Sequence, residues 1–288
     1  MIEPNKIILG NSKDVLKTIE SETFDFIITS PPYSAHRVYD GEMDFNFSVF
    51  KIIAKELARV LKPGGSILWN VNDQTVDGSE DMMSFKQAFY FRNVCGLNLY
   101  DTMIYQKKNY MPLNHRRYDQ AFEYMFLFAK GIPKTFNPIM LKTKNEGRTK
   151  RMSYVCANSN EKGSAMKSGL NITTTIKAER LHNNIFDYAV GSGQTSVDNF
   201  IFKEHSAIMP EELVKDQLLT WTDEGDLVLD PFCGSGTVPL MCKKYKRNYV
   251  GVEISEKFCN LIERRLKNLD TREDFLTLKA KDNLDNYV

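Results

Sequence analysis

The sequence predicts an α/β fold built on a doubly wound, mostly parallel sheet. Three observations lead to this prediction. Strands and helices alternate through the first 130 residues, an apolar run stops abruptly at Thr29, and a second one near residue 230 passes into a glycine-rich turn. Such alternation is typical of parallel sheets with helices on both faces. With 288 residues, 42% of them apolar, the chain can bury a substantial core.

The N-terminal half supplies most of the expected sheet. Helical spacing is clearest at Val49, Ile53 and Leu57, and the run Lys62-Pro63-Gly64-Gly65 is expected to end that helix. The strands expected in this half are residues 6–9, 24–28, 66–71, 99–105 and 121–128, and the other helices are residues 12–19 and 81–94. The last two strands are expected to form an antiparallel hairpin.

The apolar run Phe24-Asp25-Phe26-Ile27-Ile28 ends in Thr29-Ser30-Pro31-Pro32-Tyr33. Prolines fix φ and carry no N–H, so the carbonyls around them lack their usual partner and are free to face a cleft. In open α/β sheets, ligands bind at the carboxyl ends of the strands. We therefore expect a ligand site at this turn; the alternative is an ordinary loop turn.

A second unit, later in the chain, has the pattern of a nucleoside site. A strand over residues 227–230 leads to a turn with Gly234 and Gly236, a helix over residues 238–246, and a strand ending at Glu253. This order is typical of the nucleoside-binding half of a Rossmann-like sheet, with Glu253 spaced to meet ribose hydroxyls. Pro239 stands where a dinucleotide site has its third glycine, which disfavours a pyrophosphate. A cationic amino-acid nucleoside suits Asp230 better.

Both motifs resemble those of the amino-group DNA methyltransferases. Ser30-Pro31-Pro32-Tyr33 resembles the catalytic motif of that family, and Asp230-Pro231-Phe232-Cys233-Gly234-Ser235-Gly236-Thr237 resembles its cofactor motif. The catalytic motif comes first, which is the circularly permuted order of the β group. The resemblance implies methyl transfer from S-adenosyl-L-methionine to an amine of a base flipped out of duplex DNA. It also implies a catalytic half over residues 1–133, a target-recognition insert over residues 134–202, and a cofactor half over residues 203–288.

The resemblance assigns roles to individual residues. Catalytic roles fall to Ser30, Pro31, Pro32 and Tyr33. Cofactor-binding roles fall to Asn11, Thr29, His205, Pro210, Asp230, Phe232, Gly234, Gly236, Thr237 and Glu253. Asn11 stands where the family usually has an acid, and His205 to Pro210 resembles the segment that closes over the cofactor methionine.

Ser30 bears on the choice of base. Family members with serine before Pro-Pro-Tyr mostly resemble N4-cytosine enzymes, so we predict cytosine N4, with adenine N6 as the alternative. C5 methylation needs a cysteine thiolate, typically after proline, and no cysteine in this chain follows a proline. Further alternatives are an RNA base methyltransferase and a DNA-binding module without catalysis.

The charge of the chain is unevenly distributed. Residues 130–180 hold eleven Lys or Arg and three Glu, a local charge of +8, whereas the rest of the chain carries −7. A basic insert in such a protein is expected to meet DNA phosphates. The candidates for these contacts are Arg116, Arg117, Arg148, Lys150 and Arg151; solvation at the surface is the alternative for each. Asn72 and Asp73 either line the base pocket or form a strand-to-turn transition.

The remaining features narrow the class of protein. Five cysteines and four histidines show no metal-ligand spacing, so we expect neither a metal nor a disulfide framework. The apolar runs are too short for a membrane span, and the N-terminus lacks a signal-peptide pattern, so we expect a soluble, cytoplasmic protein without a membrane partner. The family resemblance raises a homodimer and a separately encoded cognate restriction endonuclease as partners.

Overall fold

An eight-stranded mixed sheet forms the centre of the computed structural model, which describes residues 2–32, 45–110, 116–154, 170–191, 194–196, 198, 201 and 208–269. In chain order the described strands are β1 (Lys6–Leu9), β2 (Phe24–Thr29), β3 (Leu61–Val71), β4 (Thr75–Val76), β5 (Ser79–Glu80), β6 (Asn98–Lys107), β7 (Phe122–Ala129), β8 (Met140–Lys142), β9 (Thr149–Tyr154), β10 (Leu170–Thr175), β11 (Glu179–Leu181), β12 (Ile185–Tyr188), β13 (Leu227–Asp230) and β14 (Asn248–Glu253). The described α-helices are α1 (Ser12–Val15), α2 (Phe47–Val60), α3 (Met83–Asn93), α4 (Glu211–Trp221), α5 (Thr237–Lys244) and α6 (Glu256–Lys267).

The order of strands in the sheet is β1-β14-β13-β2-β3-β7-β6-β12. Strands β1, β14, β13, β2 and β3 run parallel to one another, whereas β7 is antiparallel to both β3 and β6. The last two strands of the chain therefore lie between the first two, so the N-terminal and C-terminal halves share one sheet. This topology confirms the predicted mostly parallel sheet with an antiparallel strand.

Helices cover both faces of the sheet, because its central strands are apolar on both sides. On one face α2 packs its buried Phe50 against Trp69 of β3, with ring centroids 5.7 Å apart. On the other face, residues of α4 such as Leu213 and Leu218 join one apolar cluster with Ile28 of β2. The two clusters hold β2 in the middle of the core, and every residue of this strand is buried.

Several boundaries differ from the sequence prediction for identifiable reasons. Strand β3 begins at Leu61 rather than Ser66, because Leu61 pairs with Phe24 and the register shifts before Phe26 pairs with Ser66. The predicted first helix is α-helical only over Ser12–Val15 and continues as a 3₁₀ turn over Leu16–Thr18.

Residues Pro138–Asn183 form a second compact unit. Its described strands pair as two antiparallel ladders, β8 with β11 and β9 with β10. The unit lies within the range 134–202 that the sequence assigns to target recognition, whereas β12 belongs to the large sheet. Its role in recognition stays a prediction.

Among the described residues, no helix is both long and apolar enough to cross a bilayer. The same residues hold no group of three or more His, Cys, Asp or Glu side chains arranged to bind a metal ion.

Candidate functional site

The two sequence motifs meet at the carboxyl edge of the sheet. Strands β2 and β13 are parallel neighbours, with Phe26 opposite Val228 and Ile27 opposite Leu229. Both strands therefore end at the same edge, and the hydroxyl Oγ1 of Thr29 donates a 2.7 Å hydrogen bond to Oδ1 of Asp230. Both side chains are buried. One hydrogen bond thus joins two motifs that lie 201 positions apart in sequence.

Residues 30–33, called the proline turn below, come directly after Thr29 in the chain. Thr29 is the last residue of β2 and pairs with Trp69 of β3, so Ser30 leaves the sheet at its carboxyl edge. Pro31 is buried, whereas Ser30 and Pro32 are half-buried. Tyr33 lies outside the described residues. The position of the turn is the one at which open α/β sheets bind ligands.

Residues 231–236, called the glycine turn below, are held in place by hydrogen bonds from their own backbone N–H groups. The N–H of Phe232 donates to Oδ1 of Asp230 at 3.0 Å, and the N–H of Gly234 donates to Oε2 of Glu253 at 2.7 Å. Gly236 caps α5 with φ +78°, a conformation that L side chains rarely adopt. A Cβ at this position would also lie 2.6 Å from Cγ1 of Ile262 on α6. Gly236 is therefore required for helix packing as well as for the turn.

The end of β1 is tied to the same turn. The N–H of Gly10 donates to the carbonyl of Glu253 at 2.8 Å, and the hydroxyl of Ser12 donates to the carbonyl of Pro231. The side chain of Asn11 caps α1 by accepting from the N–H of Lys13 at 3.1 Å. Hydrogen bonds thus connect three segments of the chain at the carboxyl edge of the sheet: residues 10–12, 230–237 and 253–255.

Two buried acids give this edge its electrostatic character. Burial raises the pKa of the Asp230 carboxyl to about 7; the hydrogen bonds from Thr29 and Phe232 oppose this rise, and the charge of Glu253 adds to it. Burial also raises the pKa of Glu253, against the backbone N–H groups of Ser255 and Gly234 that favour its charged form. Acids clustered at one edge of a sheet favour a cationic ligand.

The edge also has features that fit a nucleoside with an amino-acid tail. Oγ1 of Thr237 is buried and has no hydrogen-bond partner among the described residues. The partly buried ring of Phe232 meets the ring of Phe45 edge-on, with centroids 5.3 Å apart. An unsatisfied hydroxyl, buried acids and an aromatic ring suit a ligand that is polar, cationic and partly flat.

Sequence reasoning missed a polar row beside the proline turn. Nδ2 of Asn70 on β3 donates to Oε2 of Glu123 at 2.7 Å, and Nζ of Lys107 pairs with Oε1 of the same carboxylate at 2.9 Å. Because a carboxylate only accepts, this bond fixes which way the Asn70 amide points. Oδ1 of Asn70 is buried and accepts no hydrogen bond from the described residues. The sequence signal for this row was Asn70 itself, a polar residue that directly follows the apolar run Ile67-Leu68-Trp69.

Asp73, which the sequence placed either in the base pocket or in a strand-to-turn transition, contacts α3. Its two carboxylate oxygens accept from the N–H and the hydroxyl of Ser84, at 2.7 Å and 2.6 Å. Oδ1 of the neighbouring Asn72 accepts from Nε2 of Gln120 at 3.2 Å. Both contacts fit the strand-to-turn transition, and a role in the base pocket stays a prediction.

A second residue that the sequence did not reveal is Arg265 on α6. Its guanidinium is fully buried, and Nη1 donates to the carbonyl of Ser235 in the glycine turn at 2.5 Å. The sequence gave no sign of this burial, since an arginine in the last turn of an amphipathic helix usually faces water.

The remaining predicted residues lie in several places. Pro210 is buried and precedes α4, and His205 lies outside the described residues. Arg116 and Arg117 are exposed in the large unit, and Arg117 donates to the carbonyl of Gly78. The other basic candidates belong to the unit Pro138–Asn183: Arg148 is exposed, and Lys150 and Arg151 lie in β9.

The fold and this edge define a Rossmann-like α/β protein with a candidate ligand site at two turns. A sequence profile described as DNA methylase, covering N6 and N4 enzymes, matches residues 24–264. The chain belongs to this family of DNA methylases.

Individual relatives agree with this assignment. The orphan methyltransferase M.BamHII of Bacillus amyloliquefaciens is 41% identical over 249 residues, which cover 85% of this chain and 89% of that protein. The type II methyltransferase M.HpaI of Haemophilus parainfluenzae is 26% identical over 91% of this chain and 74% of its own length.

Solved structures share the fold at low sequence identity. The PvuII cytosine-N4-specific DNA methyltransferase superposes with a TM-score of 0.66 at 17% identity, covering 97% of this chain and 92% of that one. The complex of M1.HpyAVI with its cofactor has a TM-score of 0.56 at 23% identity, covering 91% and 98% of the two chains.

Proposed function

We propose that this protein is a site-specific DNA methyltransferase that transfers a methyl group from S-adenosyl-L-methionine to N4 of cytosine in duplex DNA. The observation that carries the proposal is the hydrogen bond from Thr29 to Asp230. It places the start of the proline turn and the start of the glycine turn side by side, so a methyl donor and an acceptor bound at these turns would lie next to each other.

The glycine turn and its acids would hold the donor. Burial raises the pKa of Asp230 and of Glu253, and a cationic ligand beside them would favour their charged forms; the turn at Gly234 and Gly236 brings backbone close to this ligand. Phe232 offers an aromatic face, and Thr237 a buried hydroxyl. When bound, S-adenosyl-L-methionine supplies an electrophilic methyl group on a sulfonium centre.

The proline turn would bind the amine that accepts the methyl group. The lone pair of an exocyclic amine is delocalised into the ring of the base, so the amine is a poor nucleophile. The Ser30 hydroxyl and the Pro31 carbonyl accept its two hydrogens and draw the nitrogen toward tetrahedral geometry. Pro32 holds the turn rigid, and Tyr33 stacks on the base. Positioning of this kind contributes on the order of 7–11 kcal/mol for well-oriented reactants.

Ser30 is the residue that favours cytosine over adenine. The chain has serine where N6-adenine relatives typically have aspartate before Pro-Pro-Tyr. Methylation of adenine N6 is the alternative outcome of the experiment described below.

Duplex DNA is the expected partner. A base stacked in a duplex cannot reach the proline turn, so the target base flips out at a cost of roughly a few kcal/mol. Basic residues of the insert, with Lys150 and Arg151 as candidates, bind phosphates and offset this cost. The protein acts in the cytoplasm within a type II restriction–modification setting, as an orphan enzyme or beside a separately encoded endonuclease. A homodimer is a further element of this proposal.

Label transfer tests the proposed function directly. Purified protein is mixed with methyl-labelled S-adenosyl-L-methionine and a diverse pool of duplex DNA, with an RNA pool in parallel. Label is expected in DNA only. Ser30→Ala and Tyr33→Ala should lose most transfer while calorimetry shows the donor still bound. Label in RNA alone, or donor bound without transfer to either pool, would contradict the proposal.

A further inference from the structure

Arg265 makes contacts that a surface arginine does not make. Besides the carbonyl of Ser235, its guanidinium reaches two carboxylates: Nε donates to Oδ2 of Asp198 at 2.8 Å, and Nη2 to Oε1 of Glu211 at 3.1 Å. Nη2 also lies 3.3 Å from Oγ of Ser196. Both carboxylates are buried, as is the guanidinium itself.

A buried arginine is unfavourable unless its donors and charge are matched. At Arg265 the charge is matched by two acids, and the planar fork of donors is shared among three separate parts of the chain. These parts are the glycine turn at Ser235, the segment around Ser196 and Asp198, and the first turn of α4 at Glu211. The guanidinium therefore links three segments of the chain and does not serve a single ion pair.

The acid partners flank residues 205–210, which resemble the family segment that closes over the cofactor methionine. Asp198 precedes His205 and Pro210 in the chain, and Glu211 follows them. Oε1 of Glu211 accepts from the hydroxyl of Ser196 at 2.5 Å, and the N–H of Glu211 donates to the carbonyl of Thr195 at 3.0 Å. These bonds bring the two ends of the segment together at the guanidinium.

We infer that Arg265 is a positioning residue of the cofactor site. It fixes the Ser235 carbonyl of the glycine turn relative to both ends of the segment from Ser196 to Glu211. The cofactor-binding edge is then assembled before the ligand arrives. This inference rests on the proposed function, since it assigns Arg265 to the site that binds S-adenosyl-L-methionine.

Arg247 provides a matched control within the same chain. It too is buried, and its guanidinium donates to Oγ1 and the carbonyl of Thr222 at 2.9 Å and 2.7 Å and to the carbonyl of Tyr245 at 2.7 Å. It precedes β14, so it lies at the amino edge of the sheet and not at the edge that carries the two turns. Loss of Arg247 therefore removes a buried arginine without touching the cofactor edge.

The test compares Arg265→Gln and Arg265→Lys with Arg247→Gln, measuring the Kd of S-adenosyl-L-methionine by calorimetry and the Tm of each protein. Arg265→Gln is expected to raise the Kd at least tenfold and Arg265→Lys by less, whereas Arg247→Gln lowers the Tm and leaves the Kd within about twofold of wild type. In steady-state assays, Arg265→Lys should raise the KM for the donor and largely retain kcat at saturation.

Equal weakening by Arg265→Gln and Arg247→Gln, or wild-type affinity in a folded Arg265→Gln protein, would overturn the inference. If Arg265→Gln does not fold, Ser196→Ala and Asp198→Asn replace it and should raise the Kd severalfold; unchanged affinity in both would overturn the inference equally. The wild-type protein separates this inference from the proposed function. If wild type binds no S-adenosyl-L-methionine, the proposed function fails as well, whereas binding that Arg265 does not affect refutes only its positioning role.

Discussion

Asp230 is the residue on which the geometry of the edge converges. It ends β13, opens the glycine turn, and accepts hydrogen bonds from the Thr29 hydroxyl and the Phe232 N–H on the same oxygen. Burial raises the pKa of this carboxyl to about 7, so its charge changes within the physiological range. A single side chain therefore links the two motifs, and its charge is sensitive to pH.

Asp230→Asn should flatten the pH dependence of folding stability. The folded pKa, about 7, exceeds the unfolded value of about 3.9, so the stabilising contribution is complete below pH 4 and is lost as the pH rises through 7. The asparagine oxygen can still accept both hydrogen bonds but does not titrate. Between pH 5 and pH 8 the variant should gain stability relative to wild type, by about 3 kcal/mol if the carboxyl ionises fully.

Chemical denaturation at several pH values measures this difference. Parallel slopes for wild type and Asp230→Asn would show that the carboxyl does not titrate in this range. Calorimetry on the same proteins should show weaker binding of the cationic donor to the variant at pH 8, where wild type is ionised.

The Thr29 hydroxyl can be removed without changing the shape of the side chain. Thr29→Val keeps the branched side chain but removes the hydroxyl donor of buried Asp230, which keeps the N–H of Phe232, so the free energy of unfolding should fall by about 1–3 kcal/mol. Thr29→Ser keeps the hydroxyl and is expected to recover most of that loss. Urea denaturation compares the three proteins; a Thr29→Val protein as stable as Thr29→Ser would mean that the bond contributes nothing.

At the scale of elements, the two ends of β2 differ: ion pairs hold its start, and its other end leads to the candidate site. Near its start, Oδ1 and Oδ2 of buried Asp25 pair with Nζ of Lys134 at 2.7 Å and of Lys62 at 2.8 Å. At its other end lie Thr29 and the proline turn. Burial raises the pKa of Asp25, but the hydrogen bonds from Lys134 and Lys62 outweigh burial and lower it below its usual value.

Asp25→Asn should therefore reduce stability and leave function intact. Because the folded pKa is lowered, the carboxylate stabilises the fold above its unfolded pKa of about 3.9, and this contribution is lost as the pH falls below that value. The variant should lose about 1–3 kcal/mol at pH 7, with the difference shrinking toward pH 3. Tm and donor Kd together decide the outcome, and a raised Kd with unchanged Tm would contradict it.

The elements that the sequence predicted correctly are those whose signals are local. Strands β1 and β13 have the predicted bounds, since short apolar runs stop there at an asparagine-containing turn and a glycine turn. Strand β12 escaped prediction because its four residues form a strand only by pairing with β6, far away in sequence. Helix α4 was not predicted, although Pro210 and two acids at its start are typical of a helix N-terminus.

In the site too, features set by neighbouring residues could be predicted from the sequence, whereas features set by residues far away in the chain could not. The proline and glycine turns were readable because their residue types constrain the backbone directly. The burial of Arg265 was not readable, because it depends on Asp198, which lies 67 positions away, and on Glu211. The spacing of Glu253 predicts a contact with ribose, which stays a prediction, whereas the hydrogen bond that its carboxylate accepts from the N–H of Gly234 had no signal in the sequence.

At the scale of the whole molecule, positive and negative charges are unevenly distributed along the chain. The basic stretch over residues 130–180 carries +8 and the remainder carries −7. Most of that stretch falls in the compact unit Pro138–Asn183. An acidic core with a basic insert suits a protein that binds a cationic cofactor in one place and a polyanion in another.

Salt dependence tests the role of the insert. Replacing Lys150 and Arg151 by alanine should reduce the slope of log Kd for duplex DNA against log salt by about 0.9 for each lost phosphate contact. The donor Kd should not change. Lys243→Ala with Lys246→Ala removes the same charge near the start of β14 and serves as the control. An equal loss of slope in both double variants would assign the effect to net charge alone.

The measurement that tests the central claim most directly is the identity of the modified nucleoside in DNA from cells that express the protein. Sequencing with a method that resolves modified bases, checked by mass spectrometry of hydrolysed DNA, should find N4-methylcytosine at one recurring sequence and none in cells expressing Ser30→Ala. N6-methyladenine at such a sequence would contradict the choice of base. Absence of any new methylated base, from a protein that binds the donor, would contradict the claim that the two turns form one methyl-transfer site.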